Sequence, residues 1–251
     1  MEVKIENIVS SITLDQPLNI EELSEKLVMD LNEFMKMMNI TREELAKVWE
    51  KEYKSPDELP EQLQVIKNPG TFPGVICKIP NPKTAMLIFR TGKIICSGAR
   101  SKNDVDLATE KLIELLKLGE VFIKEKPIIE VQNIVASAQI DFKVNLEMAA
   151  LDCEGTEYEP EQFPGLILRL EDPKTVMLIF RSGKMIITGA KTTGDAKLAA
   201  EGTYKAIKES GAIIKETKEE IRKEKEEKEA AKKAKEAAKK AKEEAKKKTG
   251  E

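Results

Sequence analysis

The sequence contains no histidine, and only three of its 251 residues are cysteine. Without histidine the chain cannot form the Ser–His or Cys–His pairs that activate nucleophiles, nor the usual zinc sites. Cys77, Cys96 and Cys153 are not spaced as C-x-x-C, which favours reduced and mostly buried thiols in a cytosolic protein. We find no catalytic constellation, so we expect a protein without enzymatic activity and without a cofactor.

Long apolar runs are absent as well. No run approaches the roughly 18 residues that a membrane-spanning helix needs, and no signal peptide is visible. We therefore expect a cytoplasmic protein with no membrane partner. An apolar content of 41% over 251 residues is enough for a hydrophobic core in one or two domains.

What the sequence does contain is an internal repeat. Residues 72–100 (FPGVICKIPNPKTAMLIFRTGKIICSGAR) and 163–191 (FPGLILRLEDPKTVMLIFRSGKMIITGAK) align at a constant offset of 91, with 17 of 29 positions identical. Two copies at so long a period indicate a duplicated half-domain, because a solenoid needs at least three stacked units. The duplication predicts a pseudo-twofold axis, which suits a ligand with its own approximate twofold symmetry, such as duplex DNA.

Positive charge is concentrated on this repeat, although the chain has a formal net charge of −3. Every cationic position of the first copy keeps its charge in the second. These residues are Lys78, Lys83, Arg90, Lys93 and Arg100, matched by Arg169, Lys174, Arg181, Lys184 and Lys191. A local basic surface is typical of nucleic-acid binders, although lysines also protect exposed sheet edges from aggregation.

Side chains alternate between the two faces of a strand, so the residues of the repeated strands can be assigned to one face or the other. Met86 and Ile88 fall on one face, where we expect helices to pack. The opposite face is predicted to be apolar and small-polar with a cationic rim, and a monomer does not normally leave such a face bare. It carries Ala85, Leu87, Phe89, Lys93, Ile95 and Ser97, with Val176, Leu178, Phe180, Lys184, Ile186 and Thr188 in the second copy. Asn7 shares a face with Val9, and Asn133 with Val135.

Helix signals follow the strands in both halves. Ser101 is predicted to cap a helix that runs to about Leu118 and ends at Gly119, and its counterpart runs from about Thr193 to Ser210. Shorter helices are predicted in LNIEELSEKL and VNLEMAAL. Each half is therefore a strand, a short helix, four strands and a long helix, with residues 1–125 as the first half and 126–215 as the second.

The paired motifs FPG, LIF-R-[ST]-GK and [ST]-G-A, together with EYEPEQFPG at residues 157–165, resemble the TATA-box-binding protein family in its archaeal form. The resemblance covers residues 3–27 and 63–215. It implies an α+β saddle of two pseudo-symmetric repeats, with a curved ten-stranded antiparallel sheet and four helices on its convex face. It also implies a general transcription initiation factor that bends TATA-like, AT-rich promoter DNA from the minor groove and recruits transcription factor B and, indirectly, RNA polymerase.

The resemblance implies roles for individual residues. Phe72 with Phe89 and Phe163 with Phe180 would be wedges between base steps, although isolated phenylalanines more often belong to a core. Asn7, Ser97, Asn133 and Thr188 would donate to minor-groove acceptors, and Val9, Ile95, Val135 and Ile186 would exclude the guanine amino group. The ten paired cations would meet phosphates. We expect a monomer on DNA and leave a homodimer off DNA open.

The two loops that precede the FPG motifs differ between the halves. YEPEQ precedes Phe163, whereas VIKNPGT contains no acid and precedes Phe72. The resemblance implies that Glu159, Glu161 and Gln162 bind transcription factor B. The alternative functions are a protein-interaction scaffold that has lost DNA binding and an accessory DNA-binding domain of an enzyme.

Two segments depart from the family. About 35 extra residues lie around positions 28–62, where Thr41 and Glu44 form a capping-box pattern ahead of a helix. This segment is either a helical insertion packed on the first half or a dedicated partner-binding module. Residues 216–251 are mostly Lys, Glu and Ala, which predicts a solvated helix or a disordered arm whose lysine-rich end contacts phosphate weakly at most.

Overall fold

The computed structural model describes residues 1–214, so the predicted charged tail at 216–251 lies outside the described residues. The described chain has the predicted α+β class, with a curved, antiparallel ten-stranded sheet and six α-helices. Four of these helices occupy the positions that the resemblance implies, and the other two lie between residues 28 and 62.

The first half contains eleven of the elements, and a short 3-10 turn at Pro56–Glu58. In chain order they are β1 (Val3–Thr13), α1 (Ile20–Lys26), β2 (Val28–Asp30), α2 (Leu31–Met38), α3 (Arg42–Val48), β3 (Gln62–Gln64), β4 (Ile66–Lys67), β5 (Gly74–Ile79), β6 (Thr84–Phe89), β7 (Lys93–Ala99) and α4 (Lys102–Leu118).

The second half follows this order without the helices and short strands of residues 28–64, and it has two additional two-residue strands. Its elements are β8 (Ile128–Gln139), β9 (Lys143–Val144), α5 (Leu146–Asp152), β10 (Thr156–Glu157), β11 (Leu166–Leu170), β12 (Thr175–Ile179), β13 (Lys184–Ala190), α6 (Thr193–Glu209) and β14 (Ile213–Ile214).

In the large sheet, equivalent strands of the two halves lie at equal distances from the centre. It runs β10-β11-β12-β13-β8-β1-β7-β6-β5-β4, so the first strands of the two halves pair at its centre. The β1–β8 pair is antiparallel and extends from Val3 opposite Ala138 to Thr13 opposite Ile128. This arrangement gives the sheet the predicted pseudo-twofold axis, which passes between the two central strands.

Burial along the strands confirms the predicted faces. Met86, Ile88, Ile94 and Cys96 are fully buried in the core with α4 residues such as Leu112, whereas their strand neighbours are half-buried or exposed. The second half has the same pattern. The face away from this core is called the open face below. It carries the residues that alternation placed on the side opposite Met86 and Ile88, together with Asn7, Val9, Asn133 and Val135.

The long helices start as the sequence predicts and end slightly differently. Ser101 and Thr192 each form a capping box with an aspartate three residues later. Helix α6 ends at Glu209, and Gly211 has a φ of 70°. At the end of α4, however, Gly119 has a φ of −81°, and the left-handed residue is Glu120 with a φ of 63°. Glycine is therefore not what terminates α4, because the following residue reverses the chain.

The segment from β2 to β3, called the insertion below, is packed on the first half. The side chains of Leu31, Phe34, Met38 and Leu45 are almost fully buried in the common core, and the rings of Phe34 and Trp49 lie 5.8 Å apart. The predicted capping box of Thr41 and Glu44 is present in α3.

Polar contacts also hold the insertion in place. The C-terminal carbonyl groups of α2 accept hydrogen bonds from the first half. Asn81 Nδ2 donates to the Asn39 carbonyl at 3.2 Å, and Lys111 Nζ donates to the Met38 carbonyl at 2.9 Å. These contacts agree with a helical insertion packed on the first half, and they do not test the hypothesis of a partner-binding module.

We predict that Phe34→Ala lowers the free energy of unfolding by about 3–5 kcal/mol, because it leaves a cavity beneath the insertion. Urea unfolding followed by circular dichroism and by the fluorescence of Trp49, the only tryptophan, measures the change. Phe122→Ala is the matched control, since that side chain is 66% exposed and its removal should change stability by less than about 0.5 kcal/mol. Equal effects of the two substitutions would contradict this account.

Candidate nucleic-acid interface

Two asparagines and two valines meet at the centre of the open face. Asn7 lies opposite Val135 and Val9 lies opposite Asn133 in the β1–β8 register. All four are half-buried, while Ile8 and Ile134 between them point into the core. The axis of the sheet thus relates one Asn–Val pair to the other, and the two amides stand on either side of it.

The backbone fixes the orientation of both amides. Gly98 N donates to Asn7 Oδ1 at 2.7 Å, and Gly189 N donates to Asn133 Oδ1 at 2.7 Å. These N–H groups are free of the sheet ladder because each glycine lies in a bulge, with a φ of 100° at Gly98 and 92° at Gly189. With each oxygen occupied, the Nδ2 groups are the ends turned to the open face.

The neighbours of the two amides differ between the halves. Asn133 Nδ2 donates to Thr188 Oγ1 at 3.3 Å. In the part of the chain that the structure describes, Asn7 Nδ2 has no hydrogen-bond partner, and Ser97 stands where the second half has Thr188. The central donors are therefore equivalent in position, and the one in the first half has more hydrogen-bonding capacity left.

Sequence reasoning missed two polar residues on the open face. Glu6 and Gln132 are the extra residues of bulges in β1 and β8, so strict alternation assigns them to the wrong side. Ser137 Oγ donates to Glu6 Oε1 at 2.7 Å, and Gln132 Nε2 donates to Ser11 Oγ at 2.8 Å. The hydrogen bond from Ser137 lowers the pKa of Glu6, which therefore remains ionised. The only sequence feature that could have revealed these two residues is that they occupy the same position in the aligned strands IENIV and VQNIV.

The four predicted wedge phenylalanines form two pairs at the ends of the open face. The ring centroids of Phe72 and Phe89 lie 5.5 Å apart, and those of Phe163 and Phe180 lie 5.8 Å apart. All four are half-buried and none belongs to the buried core, unlike Phe34. The glycine of each FPG motif makes room for the rings. A Cβ atom at Gly165 would lie 2.7 Å from Phe163 Cε1 and 3.2 Å from Phe180 Cε1.

The paired cations differ in how they are neutralised. In the first half, Lys78 pairs with Glu52 and Arg90 pairs with Glu21. In the second half, Arg169 lies 3.5 Å from Glu157. The others are exposed and form no ion pair within residues 1–214; they are Lys83, Lys93, Arg100, Lys174, Arg181, Lys184 and Lys191. Three of the five paired cations in the first half and four of the five in the second therefore form no ion pair within residues 1–214.

The loop before Phe163 is a tight, exposed turn. The Glu159 carbonyl accepts hydrogen bonds from Gln162 N and Phe163 N, both at 2.9 Å. The Gln162 amide also donates to the Glu159 carboxylate. Glu159, Glu161 and Gln162 are all exposed. The turn thus presents acidic groups to solvent directly beside the second phenylalanine pair.

The described residues supply little for other kinds of chemistry. No group of three or more metal-ligating side chains is found among them, and none of their helices has the length and hydropathy to cross a membrane. All three cysteines are free, and burial raises the pKa of Cys77 to about 12 and that of Cys96 to about 11. These two thiols stay protonated and unreactive at neutral pH.

Comparison with known proteins identifies the family. The family described as "Transcription factor TFIID (or TATA-binding protein, TBP)" matches residues 58–118 and 128–210, and the match includes both FPG motifs and both long helices. This chain belongs to the TATA-binding protein family. The family is one of transcription factors and not of enzymes. Its match begins at residue 58, so most of the insertion lies outside the matched residues.

Individual archaeal relatives agree with this family. The TATA-box-binding protein of Methanobrevibacter smithii is 41% identical over 209 residues, covering 83% of this chain and 96% of that protein. That of Methanocaldococcus jannaschii is 48% identical over 156 residues, covering 61% of this chain and 85% of that protein. A solved structure titled "Methanococcus jannaschii TBP" superposes with a TM-score of 0.63 at 38% identity, covering 83% of this chain and 99% of that chain.

We predict that Gly165→Ala displaces the Phe163 and Phe180 rings and lowers the free energy of unfolding by about 1–3 kcal/mol, because the new Cβ overpacks the site. Urea unfolding and the aromatic NMR shifts of the two rings measure the two effects. Gly202→Ala is the control: no atom lies within 4 Å of its Cβ position, so alanine should stabilise α6 by roughly 0.5–1 kcal/mol. Unshifted phenylalanine resonances in Gly165→Ala would contradict the crowding argument.

Proposed function

We propose that this protein is a general transcription initiation factor whose open face binds the minor groove of TATA-like promoter DNA and bends it. The observation that carries the proposal is the locked orientation of Asn7 and Asn133. Both oxygens accept backbone hydrogen bonds at 2.7 Å, so both amides offer N–H donors. The floor of an AT-rich minor groove presents only acceptors, adenine N3 and thymine O2, which these donors match.

The apolar residues beside the asparagines support selection against G·C pairs. The guanine amino group protrudes into the minor groove as a donor. Val9 and Val135 flank the asparagines across the central strands, and Ile95 and Ile186 are half-buried on the neighbouring strands. These side chains leave no acceptor for an amino group and would collide with it. Thr188 and Ser97 would add further hydrogen-bonding groups next to the asparagines.

The phenylalanine pairs support a bent complex. Inserting an apolar side chain between base steps costs a few kcal/mol of lost base stacking. A rigid ring that is already half-buried can offset part of this cost by packing against the bases. Each pair stands at the far end of a half-sheet, so the two insertions would kink the duplex on both sides of the central contacts. The exposed rim cations would then hold the phosphates. In this proposal the protein binds DNA as a monomer, and a homodimer off DNA is the alternative to a monomer in the free state.

The acidic turn before Phe163 supports an assembly that forms in only one of the two orientations on the DNA. A pseudo-symmetric saddle fits a pseudo-symmetric site in two orientations, so an asymmetric feature must select one. Glu159, Glu161 and Gln162 form such a feature, because the corresponding loop of the first half has no acid. We propose that they contact basic residues of transcription factor B, which in turn recruits RNA polymerase.

Comparison of AT-rich with GC-rich duplexes in a gel-shift assay tests the proposed function. The protein should bind a TATA-like duplex much more tightly, because each mismatched base pair costs about 1–3 kcal/mol in specific complexes. Equal affinity for both duplexes would reject minor-groove selection. A failure to bind either would favour the interaction-scaffold alternative.

We predict that Phe163→Ala and Phe180→Ala reduce the bend angle and shorten the lifetime of the complex, because the duplex loses one of its two wedges. Energy transfer between dyes at the duplex ends measures bending, and competitor challenge measures lifetime. Phe122→Ala removes an equally large but exposed ring from the connection between α4 and β8 and should change neither quantity. Unchanged bending with a large loss of thermal stability would show that Phe163 and Phe180 are core residues instead.

We predict that the double substitution Glu159→Lys with Glu161→Lys abolishes the ternary complex with transcription factor B and leaves binary DNA binding intact. Like charges would then face each other across the protein–protein contact. Glu201→Lys with Glu209→Lys on α6 makes the same change in charge at another exposed site and should preserve the ternary complex. Normal ternary assembly by the Glu159 and Glu161 variant would remove this assignment.

A further inference from the structure

The insertion reaches the edge of the open face. Its segment at residues 48–52 and the first-half sheet together line a groove of about 320 Å³. On the sheet side the residues that line the groove include Lys78, Lys83, Ala85, Ser97 and Gly98. Ser97 and Gly98 belong to the central donor arrangement described above, so the insertion stands beside residues that would face DNA.

A single row of side chains connects the insertion to that arrangement. Lys78 lies opposite Ala85 in the β5–β6 register, and Ala85 lies opposite Ser97 in the β6–β7 register. Neighbours across strands project from the same face of a sheet. Lys78 is therefore the cation at the outer end of a row that begins with a proposed base-contacting residue.

At this outer end the insertion supplies a carboxylate. Glu52 pairs with Lys78, and its other oxygen lies 2.5 Å from Lys67 Nζ on edge strand β4. The Glu52 side chain is only 25% exposed. Burial opposes its ionisation, yet the hydrogen bonds from Lys67 and Lys78 outweigh burial and lower the pKa of Glu52. The carboxylate is thus held between two lysines.

The second half has no equivalent of this arrangement within the described residues. Its edge strand β10 carries Glu157 at the position where β4 carries Lys67, because Ile167 and Ile76 are equivalent partners. Glu157 lies 3.5 Å from Arg169, and both side chains are more than half exposed. A surface pair of this kind is weak and easily screened. Arg169 is therefore held less firmly than Lys78, because its partner Glu157 is more exposed than Glu52.

We propose that the insertion is part of the DNA-binding surface, where the Glu52 carboxylate competes with a DNA phosphate for Lys78 and weakens the hold of the first half on DNA relative to the second. This inference rests on the proposed function. The insertion would thereby make the two halves bind DNA with unequal strength, and most of it lies outside the residues that the family model matches.

The test is the affinity of the full-length protein for one AT-rich duplex over a range of KCl concentrations. Glu52→Gln should bind roughly threefold to tenfold more tightly at low salt, and the slope of log K against log salt should steepen by about 0.9, because one more phosphate contact releases its counterion. An unchanged slope or a lower affinity would overturn the inference.

Two controls separate competition for Lys78 from other effects. Glu50→Gln makes the same change in charge in the same groove, at a residue without an ion pair in the described part of the chain, and should leave the slope close to that of the wild type. In a Lys78→Ala background, Glu52→Gln should lose most of its effect. If Glu52→Gln acts equally in both backgrounds, or Glu50→Gln matches it, only a long-range charge effect operates and the inference is wrong.

The failure of this inference can be told from failure of the proposed function. If the wild-type protein shows no preference for AT-rich DNA, the proposed function fails. If it shows that preference but Glu52→Gln has no effect, only the role of Glu52 fails. Trp49 fluorescence reports whether the substitution loosens the insertion.

Glu52→Asp is the second variant, since it keeps the charge but withdraws the carboxylate from Lys78. It should give a smaller gain in affinity than Glu52→Gln.

Discussion

The pairing of β1 with β8 is the constraint on which the rest of the structure depends. It joins the two halves into one continuous sheet and places the pseudo-twofold axis between the central strands. A slip of one residue in this register would turn every side chain of one half to the wrong face. The bulges at Glu6 and Gln132 pin the register, and with it the position of Asn7 opposite Val135 and of Asn133 opposite Val9.

Symmetry is kept at the centre of the open face and lost toward its rim. The central asparagines, valines and bulge glycines correspond one to one, and the phenylalanine pairs have nearly the same ring separation. The rim differs between the halves, since Lys67 stands against Glu157 and only the first half carries the insertion. The centre is therefore suited to recognising a nearly symmetric ligand, and the rim to favouring one orientation of it.

Local patterns predicted most of the fold and part of the candidate site. The faces of β6 and β7 follow from the alternation of side chains along a strand, and the caps at Ser101 and Thr41 depend on residues three positions apart. Bulges break that alternation through pairing with a distant strand, so alternation alone does not place Glu6 on the open face. The same limit hid the contact of Glu52 with Lys78, because 26 residues separate the two and only the docking of the insertion brings them together. The left-handed Glu120 carries no local signal at all.

The acidic net charge of the chain does not oppose a DNA surface, because distance decides which acids matter. The Debye length is about 10 Å at 0.1 M salt, so carboxylates on the helices and at the far side of the molecule are screened from a ligand on the open face. Glu6 and Glu52 are different, since each lies on or beside that face and remains ionised through its hydrogen bonds. Bulk composition therefore says little about binding here. The strength of the surface depends on which of its cations already hold a carboxylate, and among the ten paired cations of residues 1–214 these are Lys78, Arg90 and Arg169.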